Sequence, residues 1–145
     1  MLVRQWMHSF LEMRFKNVNE GKHMSQGKIF QVGGVELHVD NRSLDNDGGP
    51  SVRVFGDVDG KSVQLLRFDC FRKNPHYHYD PAGKNDMHSI DETSIPDSVS
   101  WTIEQLGNNL PDMIRTSGYH DVAYNVDQAT IALILSELET FMLAD

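Results

Sequence analysis

NPHYHYDPAGKNDMHSID, residues Asn74 to Asp91, is the stretch on which the fold turns. Pro75 and Pro81 bracket His76, Tyr77, His78, Tyr79 and Asp80, an alternating aromatic run that suits a strand better than a helix. Pro81-Ala82-Gly83-Lys84-Asn85 is a run of turn formers, after which Asp86, Met87, His88, Ser89 and Ile90 alternate again. The reading is a β-hairpin whose loop spans residues 81–85.

That hairpin places chemistry. Successive strand side chains point to opposite faces, so His76, His78 and Asp80 share one face and Tyr77 and Tyr79 the other. A loop over 81–85 pairs Asp80 with Asp86, His78 with His88 and His76 with Ile90. Directly opposed Cβ atoms lie roughly 4.5–5.5 Å apart, so the expected cluster is three histidines flanked by two aspartates. Imidazole nitrogen and carboxylate oxygen suit zinc, iron or manganese, and a position left open beside three protein ligands holds a reactive water. His76, His78 and His88 are therefore the candidate metal ligands, with Asp80 or Asp86 as fourth ligand or general base. The plainer reading is a half-exposed edge with tyrosines packed inward and histidines solvated. A register slip of one residue would put Met87 beside the histidine pair and dissolve the cluster.

Upstream, Ser62 to Phe71 is apolar on both alternations, as a central strand requires, and only Arg72-Lys73-Asn74 separates it from the histidine strand. The two should pair. Asp59-Gly60 is a hairpin signal joining this strand to Val52-Arg53-Val54-Phe55. Val35, Leu37 and Val39 alternate with Glu36, His38 and Asp40, so His38 should face away from the core, and Gly33-Gly34 marks a bend or bulge. The order is an antiparallel meander of about five strands.

Downstream the period changes. Ser94-Ile95-Pro96-Asp97 fits a helix start, Val99, Ile103, Leu106 and Leu110 form one stripe, and Gly107 reads as the helix end. Pro111 to Ser117 is a short helix stopped by Gly118. Asn125 or Asp127 can cap a last helix carrying Ile131, Ile134, Leu135, Leu138, Phe141 and Met142. Tyr119-His120-Asp121 holds a His-Asp adjacency, but sequence neighbours rarely face each other. The expected architecture is α+β, an antiparallel sheet packed against C-terminal helices.

At the other end, Leu2, Val3, Trp6, Met7, Phe10, Leu11 and Met13 fall at helical spacing, a basic amphipathic helix that could pack on the domain, bind a partner or lie on an anionic membrane surface. Asn17 to His23 is a polar linker, and Met24-Ser25 reads as a natural start. The expected organisation is an extension over 1–23 and one α+β domain over 24–145.

Composition narrows the field further. The net charge of −8 is uneven: residues 1–28 carry Arg4, Arg14, Lys16, Lys22 and Lys28 against Glu12 and Glu20, leaving an acidic body. Such a body argues against non-specific nucleic-acid binding. No apolar run approaches the roughly 20 residues of a membrane span, and no signal-peptide pattern opens the chain, so a cytoplasmic protein is expected. The single cysteine, Cys70, permits no internal disulfide and reads as a small core residue. No phosphate-cradling glycine loop with its lysine and no Gly-x-Ser-x-Gly elbow is present.

The order Arg67-Phe68-Asp69, then Pro75-His76-Tyr77-His78, then an acidic loop and a helix from Ser98-Val99-Ser100-Trp101 resembles the small bacterial TumE-like toxin family over residues 52–110. Asp80 to Asp86 stands where that family would carry further histidines. The resemblance implies that the histidine strand is the functional face; an uncharacterised small bacterial family would account for the chain equally well. Three functions stay open: a metal-dependent enzyme of the hydrolase class; a non-catalytic binding protein, accessory subunit or antitoxin-like partner; and a metal-free toxin-type enzyme using His76 and His78 as acid and base. An exposed sheet edge also admits a homodimer.

Overall fold

The computed structural model describes residues 27–95 and 97–144, and the N-terminal helix expected from the sequence lies outside them. Six strands form one antiparallel sheet in sequence order: β1 Lys28–Val32, β2 Val35–Ser43, β3 Gly48–Val58, β4 Lys61–Asp69, β5 His76–Tyr79 and β6 Asp86–Ser89. Five helices follow: α1 Ser98–Asn108, α2 Leu110–Thr116, α3 His120–Tyr124, α4 Gln128–Ala132 and α5 Leu135–Leu143. The architecture is α+β, with six strands where about five were expected.

Tight turns make the meander. Asp59 (φ 53°) and Gly60 (φ 84°) form the β3–β4 turn as their sequence predicts. Gly33 (φ 60°) and Gly34 (φ 89°) form another two-residue turn between β1 and β2, rather than a bulge within a strand. Positive φ at both central positions matches the right-handed strand twist. The bulge lies instead between Val54 and Phe55 in β3.

The sheet separates two chemistries. Val39, Val52, Phe68 and Tyr77 stand in one cross-strand row, and Leu37, Val54, Leu66 and Tyr79 in the next. These rows pack with Val99, Leu106, Ile114, Leu138 and Met142 from the helices into one core. On the other face the rows are Asp40, Ser51, Asp69 and His76, then His38, Arg53, Arg67 and His78. His38 therefore faces away from the core, as expected.

The helices keep their predicted starts but not all their ends. Asp97 caps α1, its carboxylate accepting from the Val99 and Ser100 amides. Gly107 lies inside that helix and does not end it; a Cβ there would stand 2.8 Å from Leu135 Cδ1, so this glycine lets α5 approach. The expected last helix is two. Asp127 caps α4, which rests on the β1–β2 turn through Asp127 N to Gly33 O at 2.9 Å, while α5 lies along β2 and β3. The turn at Leu133 and Ile134 separates them, and nothing local in the sequence marks the break. Among the described residues no helix is long and apolar enough to cross a membrane.

Candidate metal centre

The hairpin exists, but in the other register. His76 pairs with Ser89, Tyr77 with His88, His78 with Met87 and Tyr79 with Asp86. The expected pairings of His78 with His88 and of Asp80 with Asp86 are corrected by one residue. The cause is Asp80, which takes a left-handed conformation (φ 54°) and leaves the strand. Its carbonyl accepts from Gly83 N at 3.1 Å and Asn85 N at 2.6 Å, and its carboxylate from Lys84 N at 2.8 Å. The connection is thus residues 80–85, and strand pairing starts one step earlier.

Because register decides face, His88 moves away from the other two histidines. Its ring stacks on Tyr77 (centroids 5.3 Å, interplanar 18°), on the helix-facing side, and its Nε2 lies 3.1 Å from Asp86 Oδ2. Asp86 is exposed. Asp80 is buried and accepts from Tyr119 Oη at 2.5 Å. His120 and Asp121 are exposed neighbours opening α3.

What the structure does bring together is His76, His78 and Asp69, at the end of β4. Their ligand atoms all lie within 4.8 Å of one another. Asp69 is 1% exposed. Its Oδ1 accepts from Ser51 Oγ at 2.8 Å, with Arg42 Nη1 3.6 Å away. Its Oδ2 accepts from Arg67 Nε at 3.0 Å and stands 3.1 Å from His76 Nε2 and 3.6 Å from His78 Nε2.

The outer ring nitrogens fix how the inner ones are used. His76 Nδ1 lies 2.8 Å from the Asn74 carbonyl, which can only accept, so that nitrogen carries the proton. His78 Nε2 accepts from Arg67 Nη2 at 2.9 Å, because a guanidinium can only donate, and its Nδ1 donates to Asn85 Oδ1 at 2.8 Å. Burial first, and then the Arg67 charge, hold the His78 pKa below its ordinary value of 6.5, with the Asn85 bond opposing. Both rings therefore turn an Nε2 toward Asp69, with Nδ1 anchored by an oxygen, as metal-ligating histidines are usually held.

A loop residue supports this arrangement from outside. Asp47 accepts from Gly48 N at 2.8 Å and Lys73 N at 2.9 Å through Oδ1, and from Asn74 N at 2.9 Å through Oδ2. It thereby ties the β4–β5 connection, whose Asn74 carbonyl holds His76, to the β2–β3 loop. Burial works against its charge, but these backbone donors and Arg72 keep its pKa below 3.8. Cys70, by contrast, is buried with its thiol pushed up to about 11, chiefly by that burial, and lies 3.2 Å from Thr102 Oγ1. It is a core residue.

Sequence reading missed Asp69 and Arg67 because they sit in a run dominated by apolar residues. A signal was present: Arg67 and Asp69 flank Phe68 at i and i+2, so they share the face opposite it. The pairing itself was not legible: a connection of residues 72–74 would set Asp69 opposite Tyr77, whereas the connection formed, residues 70–75, sets it beside His76.

A family model described as a domain of unknown function (DUF7700) matches residues 29–142, from β1 to α5. No curated protein and no solved structure matches the chain.

Proposed function

The chain belongs to the DUF7700 domain family, and we propose that its sheet carries a divalent-metal centre on Asp69, His76 and His78 that serves hydrolytic chemistry. The observation behind this reading is the convergence of two Nε2 atoms and one carboxylate oxygen within 4.8 Å. His76 Nε2 and Asp69 Oδ2, 3.1 Å apart, repel as bare lone pairs and attract once a proton or cation lies between them. Two imidazoles and a carboxylate suit zinc, iron or manganese. Three ligands from one sheet face leave coordination positions for water and substrate, and a bound water becomes a nucleophile near neutral pH. In this reading His76 and His78 keep the ligand role their sequence suggested, and Asp69 stands where His88 was expected. Asp80 and Asp86 lie outside the ligand set.

Elemental analysis of untagged protein purified without chelator should find about one equivalent of metal. Asp69→Asn and His78→Ala should each abolish it, and His88→Ala should retain it. Metal-free protein that takes up none on titration, or full retention in both ligand variants, would remove the reading. The Arg67 bonds to His78 and Asp69 favour a second one, metal-free acid–base work by His76 against Asp69. It predicts metal-free protein, as does a non-catalytic binding role.

A further inference from the structure

Arg67 already occupies part of this centre. Its Nη2 donates to His78 Nε2 at 2.9 Å and its Nε to Asp69 Oδ2 at 3.0 Å. A neutral imidazole nitrogen has one in-plane lone pair, so a metal ion and Arg67 exclude one another at His78. A carboxylate oxygen has more than one acceptor site, so Asp69 can hold a metal and still accept from Arg67 Nε. Entry of an ion therefore frees the Nη2 side of the guanidinium while Asp69 keeps Arg67 beside it.

Charge points to what the freed donors then meet. A divalent ion, Arg67 and Arg42, whose Nη1 is 3.6 Å from Asp69 Oδ1, surround one carboxylate. Arg53, next to Arg67 across the sheet, is offset by Asp40 at 3.4 Å and adds little to this excess. The loaded centre is left positive.

We infer that the exogenous ligand of this site is an oxyanion, a phosphate, sulfate or carboxylate group bridging the metal ion and the freed donors of Arg67. The inference rests on the metal reading above. A planar guanidinium matches such oxygens with paired N–H groups, and an arginine with a metal ion is a common clamp for them. The consequence is coupling: the oxyanion gives Arg67 a new partner, so it strengthens metal binding, and by linkage the metal strengthens oxyanion binding. Without an oxyanion, Arg67 opposes the metal.

Cobalt(II) titration of untagged protein, followed by its visible absorption, tests this with sulfate or with chloride at matched ionic strength. Sulfate should tighten cobalt binding by wild-type protein about tenfold, the scale of one hydrogen bond to a charged group. R67M should bind cobalt in chloride at least as tightly as wild type and should lose the sulfate effect. R67K, which keeps the charge but not the fork, should lose most of it. Equal sulfate enhancement in all three proteins, or none in a wild type that binds cobalt, overturns the oxyanion inference and leaves the metal reading standing. Cobalt bound by neither wild type nor R67M removes both.

Discussion

Tyr119 Oη donates to Asp80 Oδ1 at 2.5 Å, joining the loop before α3 to the one residue that sets the hairpin register. Burial first, and then the bond to Asp80 and its charge, push the Tyr119 pKa from 10.0 up to about 12. A raised folded pKa favours the protonated phenol, so its stabilising effect is complete below the unfolded value of about 10 and lost as pH rises toward about 12. Tyr119→Phe should therefore cost about 1–2 kcal/mol at neutral pH and should flatten the alkaline fall in stability. Urea unfolding of both proteins across that window measures it. An alkaline profile unchanged by the substitution would show that Tyr119 is not the group responsible. Asp80 thus has a structural task, holding the loop that sets Asn85 against His78 Nδ1.

At the scale of elements, two turns with similar backbones should respond differently to the same substitution. Gly33 (φ 60°) is packed: a Cβ there would meet Ile131 Cγ1 at 2.7 Å and Asp127 O at 2.8 Å. Gly60 (φ 84°) has nothing within 4 Å of an added Cβ. Alanine at Gly60 should cost about 1–2 kcal/mol for the left-handed backbone alone. Alanine at Gly33 must add the displacement of α4, typically about 1–3 kcal/mol more. Thermal melts of the two variants should separate by several degrees, and equal losses would mean that α4 yields without cost. The strand β6 behaves as an edge: it is four residues long, every residue in it is exposed, and Met87 is 55% exposed. Short, polar edges resist pairing with other chains.

For the whole molecule, the main feature is a sheet with one apolar face under helices and one face of histidines, arginines and aspartates. The reading that residues 24–145 fold as a unit, with 1–23 as an extension, predicts that a chain begun at Met24 keeps its melting temperature within a few degrees. A large loss would give the first 23 residues a part in the fold. Much of this was legible in the sequence. Alternation over Val35–Asp40 and His76–Tyr79, the Asp59-Gly60 turn and the Asp97 cap are local signals, and local backbone preference was enough to make them strands, turn and helix start. The break between α4 and α5 and the inclusion of Gly107 within α1 were not legible, because each answers to a partner far along the chain. The site divides the same way. By itself the sequence determined that His76 and His78 share a face, since a strand alternates with period two. Only the tertiary structure decided which acid joins them. One positive φ at Asp80 shifted the hairpin by a residue and carried His88 to the other face, while β4 supplied Asp69 and Arg67 from across the sheet.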